Sequence, residues 1–135
     1  MSCVLVTGGA GYIGSHTVKA LKVAGHEVVV YDTLSAGHRG AIGDAPLVKG
    51  DIRDTDAVRE ALREYRVTDA MHFAALLSVD ESVRNPARYY DHNVRGALSV
   101  MDALVAEGVN RLVLSSTCAV YGDPVAVPIH EEHQT

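Results

Sequence analysis

The sequence has little of several residue types, and each shortage excludes a class of protein. Its 135 residues include no tryptophan, one phenylalanine and two cysteines, Cys3 and Cys118. The two cysteines stand far apart and form no Cys-x-x-Cys pair, so nothing predicts a disulfide framework or a thiol redox motif. Cys3 falls inside an apolar run, where we expect a buried and reduced thiol.

Basic residues are too few, and apolar runs too short, for two further classes of protein. The formal net charge is −5, and lysine and arginine are scattered rather than gathered in a stripe, so a nucleic-acid partner is not expected. No apolar run reaches membrane-spanning length, and the N-terminus lacks a basic segment followed by a cleavable apolar core. These features predict a soluble cytoplasmic protein.

The sequence does contain a regular alternation of short apolar runs and amphipathic segments. Apolar residues make up 47% of the chain, enough for the core of one domain, 1–135. The alternation predicts an α/β fold with a Rossmann-like, doubly wound parallel sheet of about five strands, covered by helices on both faces. The predicted strands are Cys3–Thr7, Glu27–Tyr31, Leu47–Lys49, Ala70–Phe73 and Arg111–Ser115, and the predicted helices are Tyr12–Ala24, Thr55–Tyr65 and about Ala87–Ala106.

Residues that cap helices support these boundaries. Gly25 and Gly108 suit C-terminal caps, Asp54 suits an N-cap, and Pro86 suits a first helical turn. Residues 122–135 hold two prolines and a polar run, which predict a loop-like tail. The last apolar strand would then lie at an open sheet edge, so we expect the fold to be incomplete.

The richest motif is the glycine turn that joins the first strand to the first helix. Gly8, Gly11 and Gly14 are spaced by three residues, and Asp32 follows at the end of the second strand. Such a turn brings bare backbone and a helix N-terminus to a pyrophosphate, while the acid accepts hydrogen bonds from a ribose. An acid repels a 2′-phosphate, so NAD is favoured over NADP. Thr33 is not basic, although Arg39 lies in the loop beyond.

Polar or small residues also follow the third and fourth strands. Asp51 could accept a hydrogen bond from an adenine amino group, with Ile52 packing on the ring. Equally, Asp51 could cap a loop or the next helix. Small residues in the run Phe73-Ala74-Ala75 would let the backbone approach a dinucleotide, although alanines are also common where a helix packs closely.

Three further positions have both a functional and a plain structural interpretation. Asn93, inside the long predicted helix, could fix the backbone of a neighbouring strand end or simply be solvated. Ser115 and Thr117 follow the fifth strand at the edge where ligands of open α/β sheets bind. Thr117 could bond a substrate alcohol near the nicotinamide, or both hydroxyls could merely form a turn. His130 and His133 lie in the polar tail without a third ligand, so no metal site is predicted.

Taken in order, these motifs resemble the extended short-chain dehydrogenase/reductase family and, within it, the UDP-glucose 4-epimerases. The likeness runs through nearly all 135 residues. Dehydratases of the family usually carry an Asp-Glu pair after the threonine of the last motif, whereas Cys118-Ala119 follows here. The segments that carry the resemblance are 7–17, 31–32, 50–53, 72–75, 81–83, Pro86, 89–91, 93–94 and 115–122.

The resemblance implies roles for individual residues. Thr117 takes the family's catalytic Ser/Thr position. The glycine turn would hold the NAD pyrophosphate, Asp32 the adenosine ribose, and Asp51 with Ile52 the adenine. The cofactor-binding residues implied are Gly8, Gly11, Tyr12, Ile13, Gly14, Asp32, Thr33, Asp51, Ile52, Phe73, Ala74, Ala75, Asn93 and Ser115.

One family motif is missing from these 135 residues. A tyrosine with a lysine four residues on removes a proton from the sugar 4-hydroxyl, and no tyrosine here has that lysine. We therefore expect the NAD-binding N-terminal part of a UDP-sugar epimerase, without its C-terminal substrate domain, that binds NAD but is inactive. The UDP-sugar would bind only the full-length family member.

Two alternatives remain at this point, together with one expectation about assembly. The chain could be a stand-alone module that senses NAD without chemistry. It could also be part of another nucleotide-sugar epimerase or dehydratase. The family pairs subunits through two long helices, of which one is present, so we expect a homo-oligomer through helix 87–106 or edge strand 111–115.

Overall fold

The computed structural model describes residues 2–135, so only residue 1 of the predicted domain lies outside it. Within this range a five-stranded sheet has the order β3-β2-β1-β4-β5, with every neighbouring pair parallel. This confirms the predicted fold class. The strands are β1 Cys3–Thr7, β2 Glu27–Asp32, β3 Leu47–Lys49, β4 Asp69–His72 and β5 Leu112–Leu114.

The sheet grows outward from β1 in both directions. The chain first moves from β1 to β2 and β3, and then crosses back over β1 to add β4 and β5 on the other side. The strand order therefore reverses between β1 and β4. In open α/β sheets, a crevice forms at such a reversal, outside the carboxyl ends of the strands.

Two predicted helices are confirmed, and the third is a continuous helical run that contains a π turn. Helix α1 spans Tyr12–Val23 and α2 spans Thr55–Glu64. The predicted helix 87–106 consists of α4 Pro86–Tyr89, a π-helical turn Tyr90–Arg95 and α5 Gly96–Ala106. A π turn widens the helix for one turn only. A turn of six residues does not change the spacing of apolar residues enough to be predicted from the sequence.

Three short helical segments were not predicted. They are α3 Val79–Arg84 and two 3₁₀ turns, Arg39–Ile42 and Cys118–Tyr121. Each has six residues or fewer, which is too short for a helical pattern of apolar residues to show. The Ser78 side chain caps α3 by accepting from the Glu81 N–H.

Each face of the sheet has its own hydrophobic core because successive strand residues point to opposite sides. On one face, Leu5 and Val29 pack with residues of α2 and α5. On the other, Val6 and Val30 pack with Val18 of α1 and with the first 3₁₀ turn. All of these strand side chains are fully buried. Cys3 is a buried free thiol, as expected, whereas Cys118 is exposed.

The far edge of the sheet is less covered. In β5, Val113 and Leu114 are 56% and 45% exposed. After Tyr121 the described chain has only turns, bends and irregular backbone. Among residues 2–135, no helix is long and apolar enough to cross a membrane.

Helices α1, α2 and α5 end in the same way, with one left-handed residue just past the helix. Its φ is +84° at Gly25, +50° at Arg66 and +72° at Gly108. The N–H of that residue and the next N–H bond back to carbonyls of the last turn, which satisfies groups that a helix end leaves unpaired. The predicted C-terminal caps are confirmed, as is the Asp54 N-cap, which accepts from the Ala57 N–H.

Substitutions at these caps should change stability in opposite directions. Gly108→Ala should lower the free energy of unfolding by about 1 kcal/mol, because left-handed backbone disfavours a Cβ. A Cβ there would meet no atom within 4 Å, so the cost lies in the backbone alone. Arg66→Gly should raise it by about 0.5 kcal/mol for the same reason. Urea titrations measure both, and a destabilised R66G protein would contradict this account.

Candidate functional site

The carboxyl ends of β1, β2 and β4 meet at one edge of the sheet, beside the reversal of strand order. Strand β1 runs directly into the glycine turn, which leads into α1. The Gly8 N–H donates to the Tyr31 carbonyl of β2 at 2.9 Å, and the Phe73 N–H after β4 donates to the Thr7 carbonyl at 2.9 Å. The turn is therefore bonded to the strands on both sides.

Two of the glycines are required by close approach of backbone to backbone. Gly8 has a φ of +68°, and a Cβ there would lie 2.6 Å from the Ala74 nitrogen. At Gly14 a Cβ would lie 2.2 Å from the Gly8 carbonyl oxygen. Real Cβ atoms do not approach backbone so closely. The first glycine thus lets the turn contact the end of β4, and the third lets α1 pack against the turn.

The N-terminus of α1 is open, unlike the N-termini of α2 and α3. Its N-cap, Gly11, has no side chain to accept a hydrogen bond, and the first turn has no acidic residue. By contrast, α2 and α3 carry both a side-chain cap and acidic residues in the first turn. The side chains of Tyr12 and Ile13 are exposed. Unsatisfied N–H groups and a partial positive charge therefore face outward, which is the arrangement that binds an anion.

Asp32, at the end of β2, is held beside this turn by backbone groups. Its Oδ2 accepts from the Ala10 N–H at 3.0 Å, and its Oδ1 accepts from the Leu34 N–H at 2.8 Å. Each oxygen of an ionised carboxylate has about two acceptor sites, so each can still accept a hydroxyl. The guanidinium of Arg39 donates to the Gly43 carbonyl at 2.7 Å, and the Thr33 hydroxyl bonds Ser35 at 2.9 Å.

A buried polar pair lies below the turn, between β1 and β4. The Thr7 hydroxyl is 2.7 Å from Nδ1 of His72, and these side chains are almost fully buried. Burial lowers the pKa of His72, and the nearby His92 lowers it further. Sequence reasoning did not single out this pair. The signal was present, because both strands end in a polar residue after an apolar run.

Asp51 and Ile52, which follow β3, lie in different surroundings. A side-chain hydrogen bond from Arg53 lowers the pKa of Asp51 to about 2, so the group is a carboxylate with an arginine partner. Ile52 corrects an expectation. Its side chain is buried in the core, and a Cβ on Gly96 of α5 would lie 2.6 Å from its Cδ1. A side chain packed against α5 does not pack on a ring in the crevice.

Asn93 fixes the loop that follows β4. Its Oδ1 accepts from the Leu76 N–H at 2.8 Å, and its Nδ2 donates to the Leu76 carbonyl at 3.0 Å. An asparagine of the helical segment thereby holds the backbone just past the Phe73–Ala75 run. This is the backbone-fixing arrangement considered for Asn93 from the sequence.

Ser115 and Thr117 lie at the exposed end of β5. The Ser115 N–H donates to the His72 carbonyl at 3.0 Å, which continues the pairing with β4. The Thr117 Oγ1 accepts from the Ala119 N–H at 3.2 Å and caps the second 3₁₀ turn. The hydroxyl proton of Thr117 stays available for donation. In the tail, Nδ1 of His130 lies 3.1 Å from Oε2 of Glu132.

The chain belongs to the NAD dependent epimerase/dehydratase family, whose model matches residues 4–135. It is 48% identical over 131 residues to a UDP-glucose 4-epimerase of Rhizobium meliloti (strain 1021), covering 97% of this chain and 40% of that relative.

Solved structures of the same enzyme superimpose on this fold. UDP-glucose 4-epimerase from Brucella ovis, in complex with NAD, gives a TM-score of 0.90 at 44% identity, covering 99% of this chain and 41% of that chain. The enzyme from Bifidobacterium longum, in complex with NAD+ and UDP, gives 0.89 at 32% identity, covering 99% and 42%. The chain spans about 40% of the length of the curated relatives that it matches.

The buried histidine should make stability depend on pH. An unfolded histidine has a pKa of about 6.5, and the pKa of His72 is lower in the folded state. The unfolded chain therefore binds more protons, and the free energy of unfolding falls as pH drops below about 6.5, by at most about 1.4 kcal/mol per pH unit. Urea titrations from pH 8 to 5 should show a weaker dependence for His72→Asn. An unchanged slope would contradict the assignment.

Proposed function

We propose that this chain binds NAD, with the pyrophosphate at the glycine turn and the adenosine ribose at Asp32. One observation carries the proposal: the turn that leads into an open helix N-terminus also holds the carboxylate of Asp32 beside it. The Ala10 N–H inside that turn is the group that donates to Asp32 at 3.0 Å. The anion site and the hydroxyl acceptor are thus fixed relative to each other, as a dinucleotide requires.

The charge arrangement favours NAD over NADP. Asp32 would accept from both ribose hydroxyls, and its negative charge would repel a 2′-phosphate. Arg39, which could favour NADP, donates to the Gly43 carbonyl at 2.7 Å. Thr33 bonds Ser35 instead and offers no positive charge.

The remaining cofactor contacts follow from the crevice walls. We assign Asp51 to the adenine amino group and the backbone of Ile52 to the adenine edge. Phe73, Ala74 and Ala75 would line the crevice next to the glycine turn, since Ala74 touches it. Asn93 would position this part of the crevice through its hydrogen bonds to Leu76. Ser115 would line the crevice at the end of β5.

For the activity, we propose that these residues form the dinucleotide-binding domain, 1–135, of a UDP-glucose 4-epimerase. Relatives with this name support the assignment. Held by these residues, NAD would supply transient oxidation at C4 of the sugar. Thr117 would donate its free hydroxyl proton toward the sugar 4-hydroxyl. The Tyr-x-x-x-Lys base is not encoded in these 135 residues.

Calorimetric titration with NAD and NADP tests the cofactor site. We expect the protein to bind NAD more tightly than NADP, and Asp32→Ala to weaken NAD binding roughly tenfold or more, because a charged acceptor is lost. Asp44→Ala removes an exposed carboxylate that pairs with Lys22 and serves as the matched control. Equal affinity of the wild-type protein for both cofactors would contradict the role of Asp32.

A turnover assay tests whether these 135 residues contain a catalytic base for the epimerase reaction. The purified 135-residue chain should not convert UDP-galactose to UDP-glucose, even with saturating NAD, because no residue here supplies the expected tyrosine and lysine pair. A coupled assay with UDP-glucose dehydrogenase measures the product. Epimerisation above the no-protein background would show that another group removes the proton.

A further inference from the structure

Arg53 holds the carboxylate of Asp51 from three directions. Its backbone N–H donates to Oδ1 at 2.9 Å, its Nε donates to Oδ1 at 3.0 Å, and its Nη2 donates to Oδ2 at 2.6 Å. A forked guanidinium fixes the plane of a carboxylate as well as its position. The main chain of Asp51 is fixed too, because the buried Tyr31 hydroxyl donates to its carbonyl at 3.2 Å.

The other end of Arg53 is held by the π-helical turn. Its Nη1 donates to Asp91 Oδ2 at 2.5 Å, and Arg95 donates to the other oxygen of Asp91 at 2.9 Å. Two residues further on, Asn93 holds Leu76 after β4. One turn of helix therefore steadies both the end of β3 and the end of β4, and π turns are frequent at functional sites.

The hydrogen bonds from Arg53 leave one acceptor site of the Asp51 carboxylate free. An ionised carboxylate offers about four, and Arg53 fills both on Oδ1 and one on Oδ2. The remaining site on Oδ2 has a fixed direction because the carboxylate plane is fixed. The Asp51 side chain is 35% exposed, so a ligand can reach it. The open site fits one N–H donor and repels a carbonyl oxygen.

We propose that Arg53, held by Asp91, is a positioning residue that makes Asp51 select a base with an exocyclic amino group. The inference rests on the proposed NAD site and adds a specificity device to it. Asp51 is the residue that touches the ligand, and Arg53 acts only by orienting it. Adenine carries the required amino group at its six-position, whereas hypoxanthine carries a carbonyl oxygen there.

An ion pair that holds no ligand-binding group would have no such effect. The chain provides a matched example in Arg59, whose Nε donates to Glu107 at 2.8 Å. The side chains of Arg53 and Arg59 are 37% and 36% exposed. Arg59 joins α2 to Glu107, the residue after α5, and Arg63 also donates to Glu107 at 3.1 Å. Loss of either arginine should cost little stability, but only loss of Arg53 should change base selection.

The experiment compares NAD with its hypoxanthine analogue, nicotinamide hypoxanthine dinucleotide, by calorimetric titration. The wild-type protein should prefer NAD roughly tenfold or more, as expected for a hydrogen bond to a charged acceptor. Asp51→Asn, Arg53→Gln and Asp91→Asn should each reduce this preference severalfold. Arg53→Lys should not restore it, because an ammonium cannot form the fork. Arg59→Gln should keep it, and thermal melts check that each variant is folded.

The outcomes separate this inference from the proposed function. A wild-type preference that persists in folded Arg53→Gln and Asp91→Asn overturns the positioning role. Equal wild-type binding of both dinucleotides overturns selection by Asp51 while the NAD site stands. Failure of the wild-type protein to bind either dinucleotide overturns the proposed function and this inference with it.

Discussion

The close approach of backbone at the glycine turn is the constraint on which the rest of the site depends. With a Cβ at Gly14, helix α1 could not pack against the Gly8 carbonyl, and with one at Gly8 the turn could not contact Ala74. These contacts set where the α1 N-terminus faces and bring the end of β4 beside it. The same turn donates the Ala10 N–H that holds Asp32. Anion site, hydroxyl acceptor and crevice wall are therefore positioned together.

Around this turn, the structure fixes polar groups by pairing rather than by burial alone. The side chains of Thr7 and His72 bond each other between two strands. Arg53 holds Asp51 and also Asp91, which lies 38 residues further along the chain than Arg53. Buried polar groups are costly unless bonded, and among residues 2–135 no buried side-chain nitrogen or oxygen lacks a partner. The crevice walls thus gain rigidity from contacts between distant segments.

Features that depend on local patterns could be predicted from the sequence. Apolar runs gave the five strands nearly to the residue, and Asp54 and Gly108 marked helix ends because a cap needs only its own turn. The π-helical turn and α3 could not be predicted, since both segments are too short to show a helical repeat of apolar residues. Ile52 was misplaced because the sequence does not show that α5 passes over it at Gly96.

By itself, the sequence determined the fold class, the glycine turn and the acid at the end of β2. Each of these depends only on residue type and on spacing along the chain. Only the tertiary structure decided which of these groups act together. It bonded Arg39 to the Gly43 carbonyl and brought Asp91 to Arg53. The reason is physical: side-chain pairing between distant segments depends on strand order and helix packing, and neither is a local property of the chain.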